Sequence, residues 1–123
     1  MYEVSVTAHF SAAHRLNGYS GACSALHGHN WEVEVFVRGE RLNATGILLD
    51  FRRLKETALR ALAPLDHADL NAVDALRGAN PTSESIARFL YRELSGEFDC
   101  ADYRVARVSV RETPGSRASY WEE

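Results

Sequence analysis

The chain has 123 residues, 46% of them apolar and 25% charged, with a formal net charge of −3. These figures describe one globular domain, residues 1–123, large enough for a real core, and they argue against a basic nucleic-acid footprint. No apolar run approaches the roughly 18 residues of a membrane span. The opening "MYEVSVTAHF" has an early glutamate and alternating polarity, unlike a secretory leader, so a cytoplasmic protein with free thiols at Cys23 and Cys100 is expected.

"YEVSVTAHFSAAH" alternates. Val4, Val6, Ala8, Phe10, Ala12 and His14 share one parity, hence one face of a strand. A turn-rich piece, "NGYSGACS", follows. "HGHNWEVEVFVRGE" then alternates again, with His27, His29, Trp31, Val33, Val35 and Val37 on the apolar face. In "DFRRLKETALRALA" the period changes: Phe51, Leu54, Ala58 and Leu62 fall at helical spacing behind Asp50, a plausible N-cap. The irregular "PLDHADLNAVDALRGAN" leads to "PTSESIARFLYRELSG", a second helix with the stripe Ile86, Phe89, Leu90 and Leu94. Thr82 or Asn80 can cap it and Gly96 can close it. Alternation returns in "YRVARVSVRET", where Ala106, Val108, Val110 and Glu112 share a face, and a short strand around "RASYW" ends the chain.

The expected architecture is therefore α+β in the order β-β-α-α-β-β, a four-stranded antiparallel sheet with two helices on one face. The open edges of such a sheet invite oligomerisation.

His27 and His29, two apart on a strand, point the same way and toward the apolar face. His14 ends the apolar face of the first strand. In a hairpin the three rings can converge, and three neutral imidazoles around one ion describe a zinc site with a fourth position open. A lone histidine on an apolar face is usually a core residue, and His9, on the polar parity, reads as an ordinary surface residue. Cys23 either completes a closed Cys–His₃ site, which would be structural, or stands beside the ion as a thiolate that moves protons; spacing leaves both open. Glu112, on an apolar face, either reaches solvent at the strand end or accepts two hydrogen bonds from a planar ligand edge. Asp66 beside His67 can orient an imidazole, or Asp66 and Asp69 can simply start a helical turn.

The ordered set "AAHRL", "CSALHGH", "LDHADLN", "NPTSES" and "RET" resembles the 6-pyruvoyl tetrahydropterin synthase family over Phe10 to Thr113. The three-residue gap between Cys23 and His27 is most similar to the 6-carboxy-5,6,7,8-tetrahydropterin synthase branch, which serves queuosine and 7-deazapurine synthesis. The resemblance implies the tunnelling fold (T-fold), with sheets joined into a barrel in a homo-oligomer, commonly two stacked trimers. It implies Zn²⁺ held by His14, His27 and His29, with Cys23, Asp66 and His67 as catalytic groups, the last two supplied across a subunit boundary. It further implies that Glu112 anchors the pterin of 7,8-dihydroneopterin triphosphate. A sibling reaction giving a 6-pyruvoyl product, a structural zinc protein and a non-catalytic pterin-binding module are the competing expectations. Arg15, Arg52 and Lys55 are candidates for the triphosphate by charge alone.

Overall fold

A computed structural model describes the chain except for Tyr19 and Ser20 and the side chains of Ala22 and Cys23. β1 (Tyr2–His14) and β2 (His27–Gly39) form a long antiparallel hairpin in which Val4 faces Val37 and His14 faces His27. α1 (Phe51–Leu62) follows, then the two-residue β3 (Ala68–Asp69), α2 (Ser83–Phe98), β4 (Arg104–Thr113) and β5 (Ser116–Tyr120). The strand order is β3-β1-β2-β4-β5.

Alternation along the hairpin decides which face is buried. Ala8, Phe10, Ala12, Trp31, Val33, Val35 and Val37 are covered by the helices, which contribute Leu54, Ala58, Leu62, Ile86, Leu90 and Leu94 to the same core. Burying a large aliphatic side chain stabilises by about 1.5–3 kcal/mol, so this layer holds the helices on one face. The opposite parity, Ser5, Thr7, His9, Ser11, Asn30, Glu32 and Glu34, forms the polar face. His9 pairs there with Glu32 at 3.3 Å, the surface role its parity indicates.

Both expected N-caps form: Asp50 accepts from the Arg52 N–H and Thr82 from the Ser85 N–H. Asn80 is occupied elsewhere. Three expectations need correction. The sheet has a fifth strand, because β3 runs parallel to β1 with Ala12 opposite Ala68 and Ala13 opposite Asp69. Gly96 does not end α2, which runs on to Phe98; that ring is 2% exposed, and its burial outweighs the helix penalty of one glycine. Ala106 does not share the core face of β4. The register slips where Phe36 faces Arg107 while Val37 faces Val105, so Ala106 is the extra residue of a β-bulge and Val105, 1% exposed, takes the core position.

Candidate functional site

The open end of the hairpin gathers the histidines. Because His14 lies opposite His27, and His29 lies opposite Ala12, all three rings project from the core face at one corner. Ring centroids are 4.6 Å apart for His14 and His27, 4.9 Å for His27 and His29, and 5.3 Å for His14 and His29. Glu112, near the end of β4, brings its carboxylate to the same point. One donor atom from each of the four residues lies within 4.8 Å of all the others.

Second partners orient the rings. His14 donates from Nδ1 to the Pro81 carbonyl at 2.7 Å, and His27 from Nδ1 to the Ala25 carbonyl at 2.7 Å. A carbonyl only accepts, so each bond fixes Nδ1–H and leaves Nε2 as a lone-pair donor, the arrangement metal-bound histidines need. Trp31, fully buried, braces the corner from beneath. Its indole N–H donates to the Ala12 carbonyl at 3.2 Å, and its ring meets His14 and His29 edge-on at 4.9 and 5.4 Å.

The corner has unmet polar demand. The Nε2 atoms of His14 and His29 are buried without a hydrogen-bond partner among the described residues. Glu112 Oε2 is 3.4 Å from the first and 3.2 Å from the second, inside ion-pair range but outside hydrogen-bond geometry. Burial holds His29 below its ordinary pKa; Glu112 opposes that effect, while His14 and His27 reinforce it. Three converging imidazoles, two of them with orphaned Nε2 atoms, fit a divalent cation of the zinc type.

Asp66 and His67 meet despite being sequence neighbours. His67 adopts a left-handed backbone, φ 56°, which brings its Nδ1 3.1 Å from Asp66 Oδ1. β1 holds both: the Ser11 N–H donates to Asp66 Oδ1 at 2.9 Å, and the His67 N–H donates to the Ser11 carbonyl at 2.6 Å. The Ser11 bond is the main reason Asp66 sits below the ordinary carboxylate pKa, with the neighbouring His67 adding to it. His67 is 82% exposed and lines an open groove of about 520 Å³ with Ser11, Ala13, Gly28 and Asn30. His29 borders the same groove, and the dyad itself is held at the outer edge of β1 through the Ser11 backbone.

Cys23 belongs to a 3₁₀ turn, Gly21–Ser24, between β1 and β2, and its side chain lies outside the described residues. Of the three basic candidates, Arg15 and Arg52 have exposed side chains, whereas Lys55 donates to the Thr7 carbonyl of its own chain. Sequence reasoning missed the carbonyls of Pro81 and Ala25, which carry no side-chain signal. It placed Trp31 on the core face without its bracing role. Asp69 does cap a turn, accepting from the Asn71 N–H at 3.0 Å.

No described helix is long and apolar enough to cross a membrane. The chain is 34% identical over 130 residues to a 6-carboxy-5,6,7,8-tetrahydropterin synthase of Bacillus subtilis, covering 97% of this chain and 84% of the relative. It is 37% identical over 118 residues to the protein of the same name from Synechocystis, covering 91% and 87%. The structure of Caenorhabditis elegans 6-pyruvoyl tetrahydropterin synthase superposes with a TM-score of 0.87 at 27% identity, over 99% of this chain and 96% of that one. That of Plasmodium falciparum 6-pyruvoyl tetrahydropterin synthase gives 0.78 at 25%, over 98% and 97%. The sheet with two helices on one face is thus the tunnelling fold these proteins share. With the profile for 6-pyruvoyl tetrahydropterin synthase matching residues 3–123 as well, the chain belongs to the 6-pyruvoyl tetrahydropterin synthase family.

Proposed function

We propose that the chain is a zinc-dependent 6-carboxy-5,6,7,8-tetrahydropterin synthase of the cytoplasm. It is a carbon–carbon lyase converting 7,8-dihydroneopterin triphosphate and one water to 6-carboxytetrahydropterin, acetaldehyde and triphosphate in queuosine and 7-deazapurine biosynthesis. The observation that carries this reading is the convergence of His14, His27 and His29 beside Glu112, with two buried Nε2 atoms lacking partners. The names of the Bacillus and Synechocystis relatives support the carboxy branch.

His14, His27 and His29 would hold the zinc, which when bound supplies Lewis acidity toward the hydroxyls of the substrate side chain. Glu112 accepts hydrogen bonds from the N–H donors of the pterin's 2-amino-4-oxo edge, fixing the ring in the plane of its carboxylate. His67 Nδ1 stands 3.1 Å from Asp66 Oδ1, and the opposite ring atom, Nε2, would take or give a proton. Asp66 remains ionised and sets the ring's orientation. Cys23 is the second proton-transfer group. The strong exposure of His67 at an open sheet edge supports a homo-oligomer, a dimer of trimers, in which the Asp66–His67 dyad serves a neighbouring subunit.

The sibling reaction, giving a 6-pyruvoyl product, is favoured by the shape match to the C. elegans enzyme. Incubating purified, zinc-loaded protein with dihydroneopterin triphosphate and identifying the products by mass spectrometry separates the readings. Acetaldehyde with a carboxypterin supports the proposal. A pyruvoyl pterin selects the sibling, and binding without turnover selects a pterin-binding module.

A further inference from the structure

Two of the motifs, "LDHADLN" and "NPTSES", end or begin in an asparagine that the mechanism above does not use. Both asparagines turn their side chains onto the backbone leaving His14. Asn71 Oδ1 accepts from the Arg15 N–H at 2.8 Å, and its Nδ2 donates to the Arg15 carbonyl at 3.0 Å. Asn80 Oδ1 accepts from the Asn17 N–H at 2.8 Å, and its Nδ2 donates to the Asn17 carbonyl at 2.8 Å.

A side-chain amide carries an acceptor and two donors, so it can reproduce the N–H and C=O pair that a neighbouring strand would offer. In extended backbone, residues two apart present their N–H and C=O groups to the same side. Ser11 and Ala13 lie in β1, and Arg15 and Asn17, in the coil and turn beyond its end, continue the two-residue interval. Ser11 is met by Asp66 and His67, Ala13 by β3, Arg15 by Asn71 and Asn17 by Asn80. The segment from Asp66 to Asn80 therefore continues the sheet ladder past its two-residue strand with side chains alone. Pro81, directly after Asn80, supplies the carbonyl that orients His14. One segment thus holds the dyad, a metal-corner imidazole and the start of the β1–β2 connection to which Cys23 belongs.

We propose that Asn71 and Asn80 are positioning residues for the reaction, pinning the Arg15–Asn17 backbone to the segment that carries Asp66 and His67 so that the dyad keeps its register on β1. This rests on the function proposed above. Displacing a reacting group by about 1 Å can cost on the order of 100-fold in rate, so the clasps act on kcat and not on folding alone.

The test uses the full chain with Asn71→Ala and Asn80→Ala made separately, each leaving the other clasp intact. Three quantities are read: zinc content, kcat and KM for dihydroneopterin triphosphate, and hydrogen exchange at the Arg15 and Asn17 amides. The expected result is full zinc content, KM within about threefold of wild type, kcat lowered roughly 10–100-fold, and amide exchange faster by about tenfold or more. Unchanged kcat despite faster exchange overturns the proposal, as does unchanged exchange, or a loss of turnover that only tracks lost zinc. If the wild-type protein itself produces no product, the functional reading fails. The clasps are then judged by exchange and by the ¹⁵N shifts of the His67 ring: a change of both in each variant supports them, and unchanged shifts overturn them.

Discussion

His14 and Pro81 are joined by a 2.7 Å hydrogen bond from imidazole Nδ1 to backbone carbonyl, tying the last residue of β1 to the residue before the N-cap of α2. The bond dictates a tautomer, since a carbonyl cannot donate. In zinc-loaded protein, ¹⁵N spectra of the imidazoles should show protonated Nδ1 and unprotonated Nε2 for both His14 and His27. Protonated Nε2 on either ring would contradict the assigned ligand atoms.

Zinc content and turnover should separate the corner from the thiol. His29→Ala removes one of the converging Nε2 atoms and should strip most of the zinc. Cys23→Ala should leave zinc in place while lowering kcat by about 10²–10⁴-fold, the usual contribution of a positioned proton-transfer group. Metal analysis with steady-state rates checks both, and loss of zinc from the cysteine variant would make the thiol a ligand.

Glu112 stands 3.2 Å from His29 Nε2, close enough for its role to need a direct measurement. As the pterin anchor, Glu112→Gln should keep zinc and weaken binding of the pterin ring by roughly 100-fold, because it trades two charge-assisted hydrogen bonds for a mismatched amide. Titration with a pterin lacking the triphosphate, alongside zinc determination, checks this. Zinc loss with unchanged pterin affinity would make the carboxylate a fourth ligand.

Exposure of His67, at 82%, leads to a mixing experiment. Cys23→Ala and His67→Ala proteins should each be nearly inactive. Dissociated, mixed in equal amounts and reassembled, they should recover about one quarter of wild-type activity, the random chance that an intact Cys23 meets an intact His67 across a shared boundary. No recovery would place both groups within a single chain's site.

Asp66 gives a pH signature. Its folded pKa lies below the ordinary 3.8, because the Ser11 N–H, and after it His67, favour the carboxylate. A depressed carboxyl pKa contributes stability that is complete above the unfolded value and is lost as pH falls through the folded one. Denaturant unfolding of wild type and Asp66→Asn should therefore differ by a constant amount near neutrality and converge below pH 3.8. A difference that grows as pH falls would contradict the assigned hydrogen bond.

Much of this was legible in local pattern. Parity along β1 and β2 puts His14, His27 and His29 on one face, and the stripes behind Asp50 and Thr82 mark both helices, since each depends only on near neighbours. Contacts across the sequence were not legible. β3 is two residues long, below the reach of any alternation, and exists because Ser11 binds Asp66 and His67. The Asp66–His67 contact needs a left-handed backbone at a non-glycine residue, which no propensity announces. The carbonyls of Pro81 and Ala25 act through backbone that every residue shares.

The surplus residue that β4 sets against β2 works as a phase shifter, apart from a second shift against β5 between Val110 and Thr113. Val105 and Glu112 are seven positions apart, an odd interval that an uninterrupted strand would split between its two sides; inserting Ala106 puts them on the same one. Excising Ala106 would restore strict alternation and force a choice: either the valine leaves the oil or the carboxylate swings out of reach of the imidazoles. The chemistry at one end of this strand and the solidity of the other are thus geared together through one inserted residue.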